Sequence, residues 1–214
     1  LGLGLTLFVT LAAIQTSINN EIQNSVPERA PSFFALDIPR ERTAEFSAMV
    51  RKEAPGAEIN LIPSLRGTIV EFGGQRVDQL EELPEGAWVL NGDRGLTYSP
   101  QVPKGSEVIA GEWWPADYKG PALVSLDVRV AESLSVGVGD SLTVSVLGVE
   151  IPTKIASLRE VKWENFGLNY ALVFSPGTFD AAPHSMVATL TVPAKAERAL
   201  AKSIPPAFPS SSLI

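Results

Sequence analysis

The sequence predicts an α+β protein: a split ferredoxin-like βαβ layer, interrupted by a small β-rich insert and preceded by a helix that is the end of a transmembrane span. Three observations carry that expectation. A strand, proline, helix pattern occurs twice, offset by 154 residues; short alternating strands fill the space between the copies; and Leu1 to Ile14 is a run without a single charge. The expected division is 1–26 for the span end and a stalk helix, 32–107 with 184–214 for the α/β layer, and 108–183 for the insert.

A helix over the first 14 residues rises roughly 21 Å, short of the roughly 30 Å hydrocarbon core, so it does not cross a membrane unaided. Three readings compete. A secretory signal would carry basic residues ahead of the apolar run, and only "LAA" offers a cleavage site. A buried core helix suits a short apolar run. The residues just after the run favour the severed span: Ile14, Ile18 and Ile22 recur every four residues among Gln15, Asn19, Asn20, Glu21 and Gln23, an apolar stripe on a helix that stops before Pro27. The first cation after the run is Arg29, and flanks free of Lys and Arg belong on the non-cytoplasmic side.

"PSFFALDIP" reads as a strand with Phe34, Leu36 and Ile38 alternating against Phe33, Ala35 and Asp37. Thr43 to Ala54 reads as a helix, with Phe46, Met49 and Val50 at helical spacing, and a second strand comes next near "AEINLIPSLRGTIVEF". Downstream, "MVATLTVPAKAERALAKSIP" repeats the layout, placing Leu36 on Leu190, Ile38 on Val192, Pro39 on Pro193, Phe46 on Leu200 and Val50 on Ile204. In both copies a proline ends the strand and leads into the helix. Two such arms pair into one ferredoxin-like layer. Between them lie a short helix ending near Leu134, a "GVGD" turn at 137–140, an alternating strand through Leu142, Val144 and Val146, a turn at Leu147 and Gly148, and a return strand through Val149, Ile151 and Ile155. Gly137, Gly139 and Asp140 are read as a turn and not a phosphate loop, because no helix with GK[ST] comes after them.

Composition narrows the chemistry. With 17 Lys+Arg against 24 Asp+Glu the formal charge is -7, which disfavours nucleic acid and anionic membrane surfaces. The absence of cysteine excludes disulfides, thiol nucleophiles and Cys-based zinc sites. His184 is the only histidine, no G-x-S-x-G accompanies it, and it is read as structural or solvated. Asp78, Glu81 and Glu82 lack the ligand spacing of a calcium loop, and no Walker A sequence occurs, so neither a metal nor a cofactor is expected. "GEWWPADYKGP" is the one candidate recognition stretch: Trp113, Trp114 and Tyr118 either present flat faces to a lipid, sugar or peptide, or plug the seam between layer and insert. Asp93 and Arg94 in "LNGDRGLTYSP" are read as turn and ion-pair residues, with ligand binding as the other option.

Taken together, "LGLGLTLFVTLAAI", "PERAPSFFALDIP", "NGDRGLTYSP", "AGEWWPADYKGPALVSLD", "VGVGDSLTVSVLGVEI", "IASLREVKWENFGLNYALVFSPG" and "APHSMVATLTV" resemble the first extracytoplasmic region of YbbP-like permeases in the FtsX/MacB-type ABC transporter superfamily. The resemblance implies a periplasmic domain of a permease in the bacterial inner membrane, made of a porter-like α/β part and a sabre-like β-rich part. It implies a cytoplasmic ABC ATPase subunit as partner, mechanical coupling through stalk residues such as Ile14, Ile18 and Ile22, and no catalytic residues. It further implies export or extraction of a hydrophobic or lipid-like substrate, or action on a periplasmic partner, and leaves self-association through the stalks open. The rival expectation is a secreted or membrane-anchored ligand-binding module using Trp113, Trp114 and Tyr118.

Overall fold

The computed structural model describes residues 30–163 and 168–214. The expected stalk with Ile14, Ile18 and Ile22 lies outside the described residues. Pro31–Ile214 forms one compact unit with α+β architecture and a mixed sheet.

The chain enters through β1 (Phe33–Pro39), passes a 3-10 turn at Arg40–Arg42, and forms α1 (Thr43–Glu53). Phe46 and Val50, one helical turn apart, are both fully buried. A 15-residue strand, β2 (Glu58–Phe72), follows, then the two-residue β3 (Gln75–Arg76) and β4 (Arg94–Tyr98). β5 (Ser106–Gly111), β6 (Leu123–Asp127), α2 (Val128–Leu134), β7 (Ser141–Val146), β8 (Val149–Val161) and β9 (Leu172–Phe174) come next. The chain closes with β10 (Ser185–Thr191), α3 (Ala194–Ala207) and β11 (Ser212–Leu213). Among the described residues no helix is long and apolar enough to cross a membrane.

The strands gather around two hydrophobic cores. In the first, β11, β1, β10 and the first half of β2 lie side by side in that order, every neighbour antiparallel. Ala35, Ile38, Ala188 and Leu190 from the sheet meet Phe46, Val50, Leu200, Ile204 and Phe208 from the helical side. Phe46 and Phe208 pack edge to face at 5.3 Å. In the second, the pairings run in a closed circuit: β2 with β4, β4 with β9, β9 with β6, β6 with β8, β8 with β7, and β7 back to β2. This barrel encloses Leu96, Val124, Leu126, Val130, Leu142, Val144, Leu172 and Phe174, all 0% exposed. β2 belongs to both: residues 58–64 pair with β10, and the residues from Leu65 onward pair with β4 and β7. Gly67 sits where three strands crowd, since a Cβ there would meet the Ser145 carbonyl at 2.6 Å.

One strand departs from simple alternation. Asp37 adopts φ 55 and the β1–β10 register shifts between Ala35 and Ile38. This bulge brings Ile38 into the core beside Ala35 and leaves Leu36 only half-buried, where strict period-2 reading put Leu36 and Ile38 on one face.

Candidate functional site

The aromatic stretch spans the connection from β5 to β6, held against the segment after β4. The Trp114 indole N–H donates to the Ser99 carbonyl at 2.8 Å and the Trp113 indole N–H to the Pro100 carbonyl at 3.2 Å. The two rings stack with centroids 4.1 Å apart. Trp114 is 4% exposed, so its face meets protein, while Trp113 is half-buried. Tyr118 makes no ring contact with this pair among the described residues. Its hydroxyl donates to the Pro121 carbonyl at 2.8 Å, which lays the ring over Gly120, where an added Cβ would meet the phenol oxygen at 2.4 Å. The structure thus joins the two tryptophans and sets Tyr118 apart.

Tyr118 lines a groove of about 600 Å³ between the 116–122 loop and the 176–180 turn. Asp117, Lys119, Thr178 and Asp180 supply its polar groups, and Gly120, Ala122 and Gly177 are among its small lining residues. Thr178 is held by its hydroxyl on the Ser175 carbonyl at 2.8 Å, and Ser175 Oγ accepts from the Leu123 amide at 3.0 Å. The groove offers hydrogen-bonding groups of both signs and no nucleophile next to a base.

His184 stands at the entry to β10. Its Nδ1 faces the Ala182 carbonyl at 2.8 Å, which can only accept, so Nδ1 carries the proton; in the neutral ring Nε2 then accepts from the Tyr98 hydroxyl at 3.1 Å. Burial raises the Tyr98 hydroxyl above its ordinary value, with Arg40 lowering it and Asp180 raising it further. Both nitrogens have a partner, and among the described residues no serine or carboxylate completes a relay.

The remaining candidates are also structural. The Arg94 guanidinium donates to the carbonyls of Trp88, Val89 and Asn91 and lies 5.2 Å from the Trp88 ring centroid, clamping the turn before β4. The ion pair expected of Asp93 and Arg94 is not formed among the described residues, because carbonyls within a few positions reach the guanidinium first. Asp78 pairs with Arg76 at 3.2 Å, and Glu81 and Glu82 are exposed. Among the described residues no group of three or more His, Asp or Glu is arranged to hold a metal. The "GVGD" segment is a turn: Asp140 Oδ2 accepts from the Gly137 amide at 2.7 Å and Gly139 takes φ 97.

Sequence reasoning passed over one cluster. Arg159, Asp127, Ser125 and Ser157 are all buried at the β6–β8 seam, with Ser157 Oγ donating to Ser125 Oγ at 2.8 Å. The signal that could have found it is "IASLREV", in which polar residues occupy the positions between Ala156, Leu158 and Glu160.

No family model matches the chain. The chain is similar to an uncharacterized ABC transporter permease, YbbP, of Escherichia coli (strain K12), at 25% identity over 183 residues, covering 86% of this chain. It spans only 22% of the length of that relative. The resemblance read from the motifs therefore has a homologue behind it, and the chain is similar to one segment of a YbbP-like ABC transporter permease.

Proposed function

We propose that this chain is the periplasmic domain of an ABC transporter permease subunit in the bacterial inner membrane, non-enzymatic in itself, which couples motion of transmembrane helices to work on a hydrophobic or lipid-like substrate or a periplasmic partner. ATP hydrolysis belongs to a separate cytoplasmic ATPase subunit. The observation that carries this reading is the likeness to the permease over 86% of the chain. The sheet order β11, β1, β10, β2, with all neighbours antiparallel, supports a split ferredoxin-like layer as the porter-like part. The β-rich barrel that interrupts it supports a sabre-like part. A mechanical role also fits side chains that serve as clamps, caps and plugs in place of reacting groups. In this reading the stalk residues Ile14, Ile18 and Ile22 are where membrane motion enters.

The test is purification of the tagged full-length gene product from detergent-solubilised membranes. An ABC ATPase should copurify in stoichiometric amount. Recovery of the product from the soluble fraction, with no ATPase attached, would overturn the reading.

A further inference from the structure

Two opposite charges lie buried on neighbouring strands of the barrel without touching. Asp127 of β6 and Arg159 of β8 are register partners, 2% and 1% exposed, yet no ion pair joins them among the described residues. Arg159 gives its N–H groups to neutral oxygens instead. Nε donates to Ser125 Oγ at 3.0 Å, Nη1 to Ser106 Oγ at 2.9 Å, and Nη2 to the carbonyls of Tyr170 at 3.1 Å, Ala171 at 3.3 Å and Ser125 at 3.4 Å. Asp127 Oδ1 accepts from the Arg129 amide at 2.8 Å, capping α2, and Oδ2 accepts from the Trp163 indole N–H at 2.7 Å. Burial pulls the Arg159 guanidinium down to about 10 while Asp127 holds it up, so the two charges act on each other across the gap. A desolvated cation is better compensated by a carboxylate than by carbonyls. The hydrogen bond that Asp127 Oδ2 accepts comes from Trp163, a side chain 39% exposed.

We propose that Trp163 is the latch of a two-position switch in the barrel wall, at the β6–β8 seam. With the indole on Asp127, Arg159 braces the Tyr170 and Ala171 carbonyls and fixes the entry into β9. With the indole withdrawn, Asp127 Oδ2 turns to Arg159, the ion pair forms, and the guanidinium releases those carbonyls, loosening β9 against β6. The exposure of Trp163 makes it the handle, and the alternative partner for each buried charge makes the barrel bistable instead of merely weakened. The switch uses contacts within the barrel alone and stands apart from the permease reading.

The test is hydrogen exchange, read by mass spectrometry, on the full chain. Trp163→Phe keeps a ring and removes the N–H; exchange over 168–174 should accelerate about tenfold. Adding Asp127→Asn should restore wild-type exchange, because asparagine cannot attract Arg159 yet still caps α2. No acceleration in Trp163→Phe, or equal acceleration in the double variant, overturns the switch. Should Trp163→Phe fail to fold, Trp163→Leu removes the same N–H and is read the same way, with exchange over 168–174 faster in the single variant and restored on adding Asp127→Asn. Unchanged or slower exchange in Trp163→Leu overturns the switch as well.

Discussion

The core beneath α1 and α3 and the core of the barrel solve the same problem with different materials. The first gathers Ala35, Ile38, Phe46, Val50, Leu190, Leu200, Ile204 and Phe208, and of the buried polar side chains among the described residues only Thr189 lies on its strands. The barrel buries Leu96, Leu126 and Leu172 but also Ser125, Asp127, Thr153, Ser157 and Arg159. Apolar packing tolerates loss of a contact in proportion to its area. A buried polar network fails when one member leaves, because its partners cannot find water. The layer's packing therefore hangs on no single polar group, whereas the barrel holds the buried polar contacts on which the proposed rearrangement depends.

The largest effect is expected in the layer from Phe46→Ala, which removes a ring with 0% exposure packed edge to face with Phe208 and should cost about 3–5 kcal/mol in urea unfolding. In the barrel, Arg159→Ala strands the Tyr170 and Ala171 carbonyls and should cost about 3 kcal/mol by the same measurement. Arg159→Met, which refills the volume, should recover little of that loss if the polar contacts dominate. Gly111→Ala probes the barrel rim: the residue has φ 72 and a Cβ would meet the Ala156 carbonyl at 2.2 Å, so about 2 kcal/mol should be lost.

Smaller effects separate the two cores further. Burial raises the Tyr170 hydroxyl above its ordinary value, with a hydrogen bond to Ser64 lowering it in part. The folded state therefore keeps the phenol proton at a pH where the unfolded chain, at about 10, has begun to release it. Its contribution to stability should be intact below pH ~10 and fall as pH rises beyond, a slope that Tyr170→Phe removes in pH-dependent unfolding. Smallest is Leu147→Asn: Leu147 takes φ 51 at an exposed hairpin tip, where asparagine is at ease, so the variant should gain about 0.5 kcal/mol in thermal unfolding.

The two regions also differed in legibility. The layer could be read because its helices and strands keep their periods and its arms repeat: Phe46 and Leu200, and Val50 and Ile204, matched by offset in sequence, are all fully buried in one core. Within β1 the Asp37 bulge escaped, since nothing in "FFALDIP" announces a left-handed residue. In the barrel the strands and turns around "GVGD" followed alternation, but the place where β2 passes from one core to the other did not show, because "EINLIPSLRGTIVEF" runs apolar through the handover. Arg159 and Ser157 escaped for a sharper reason. They are buried on β8 while Glu160 is exposed, and a pattern that assigns polar residues to solvent inverts them. In the aromatic loop, the types of Trp113, Trp114 and Tyr118 were plain, but the partition into a buried pair and a separate groove residue depends on carbonyls at Ser99, Pro100 and Pro121 that no spacing encodes.

Above all, the proposed function requires that this domain lie outside the cytoplasm as part of a permease. The chain has no cysteine, and Leu147 is 75% exposed, so Leu147→Cys in the full-length protein places one accessible thiol in the barrel, to be compared with the parent protein. In cells with the outer membrane permeabilised and the inner membrane intact, a membrane-impermeant maleimide should label this position as fully as it does after lysis. Labelling that appears only after the inner membrane is broken would contradict a periplasmic placement.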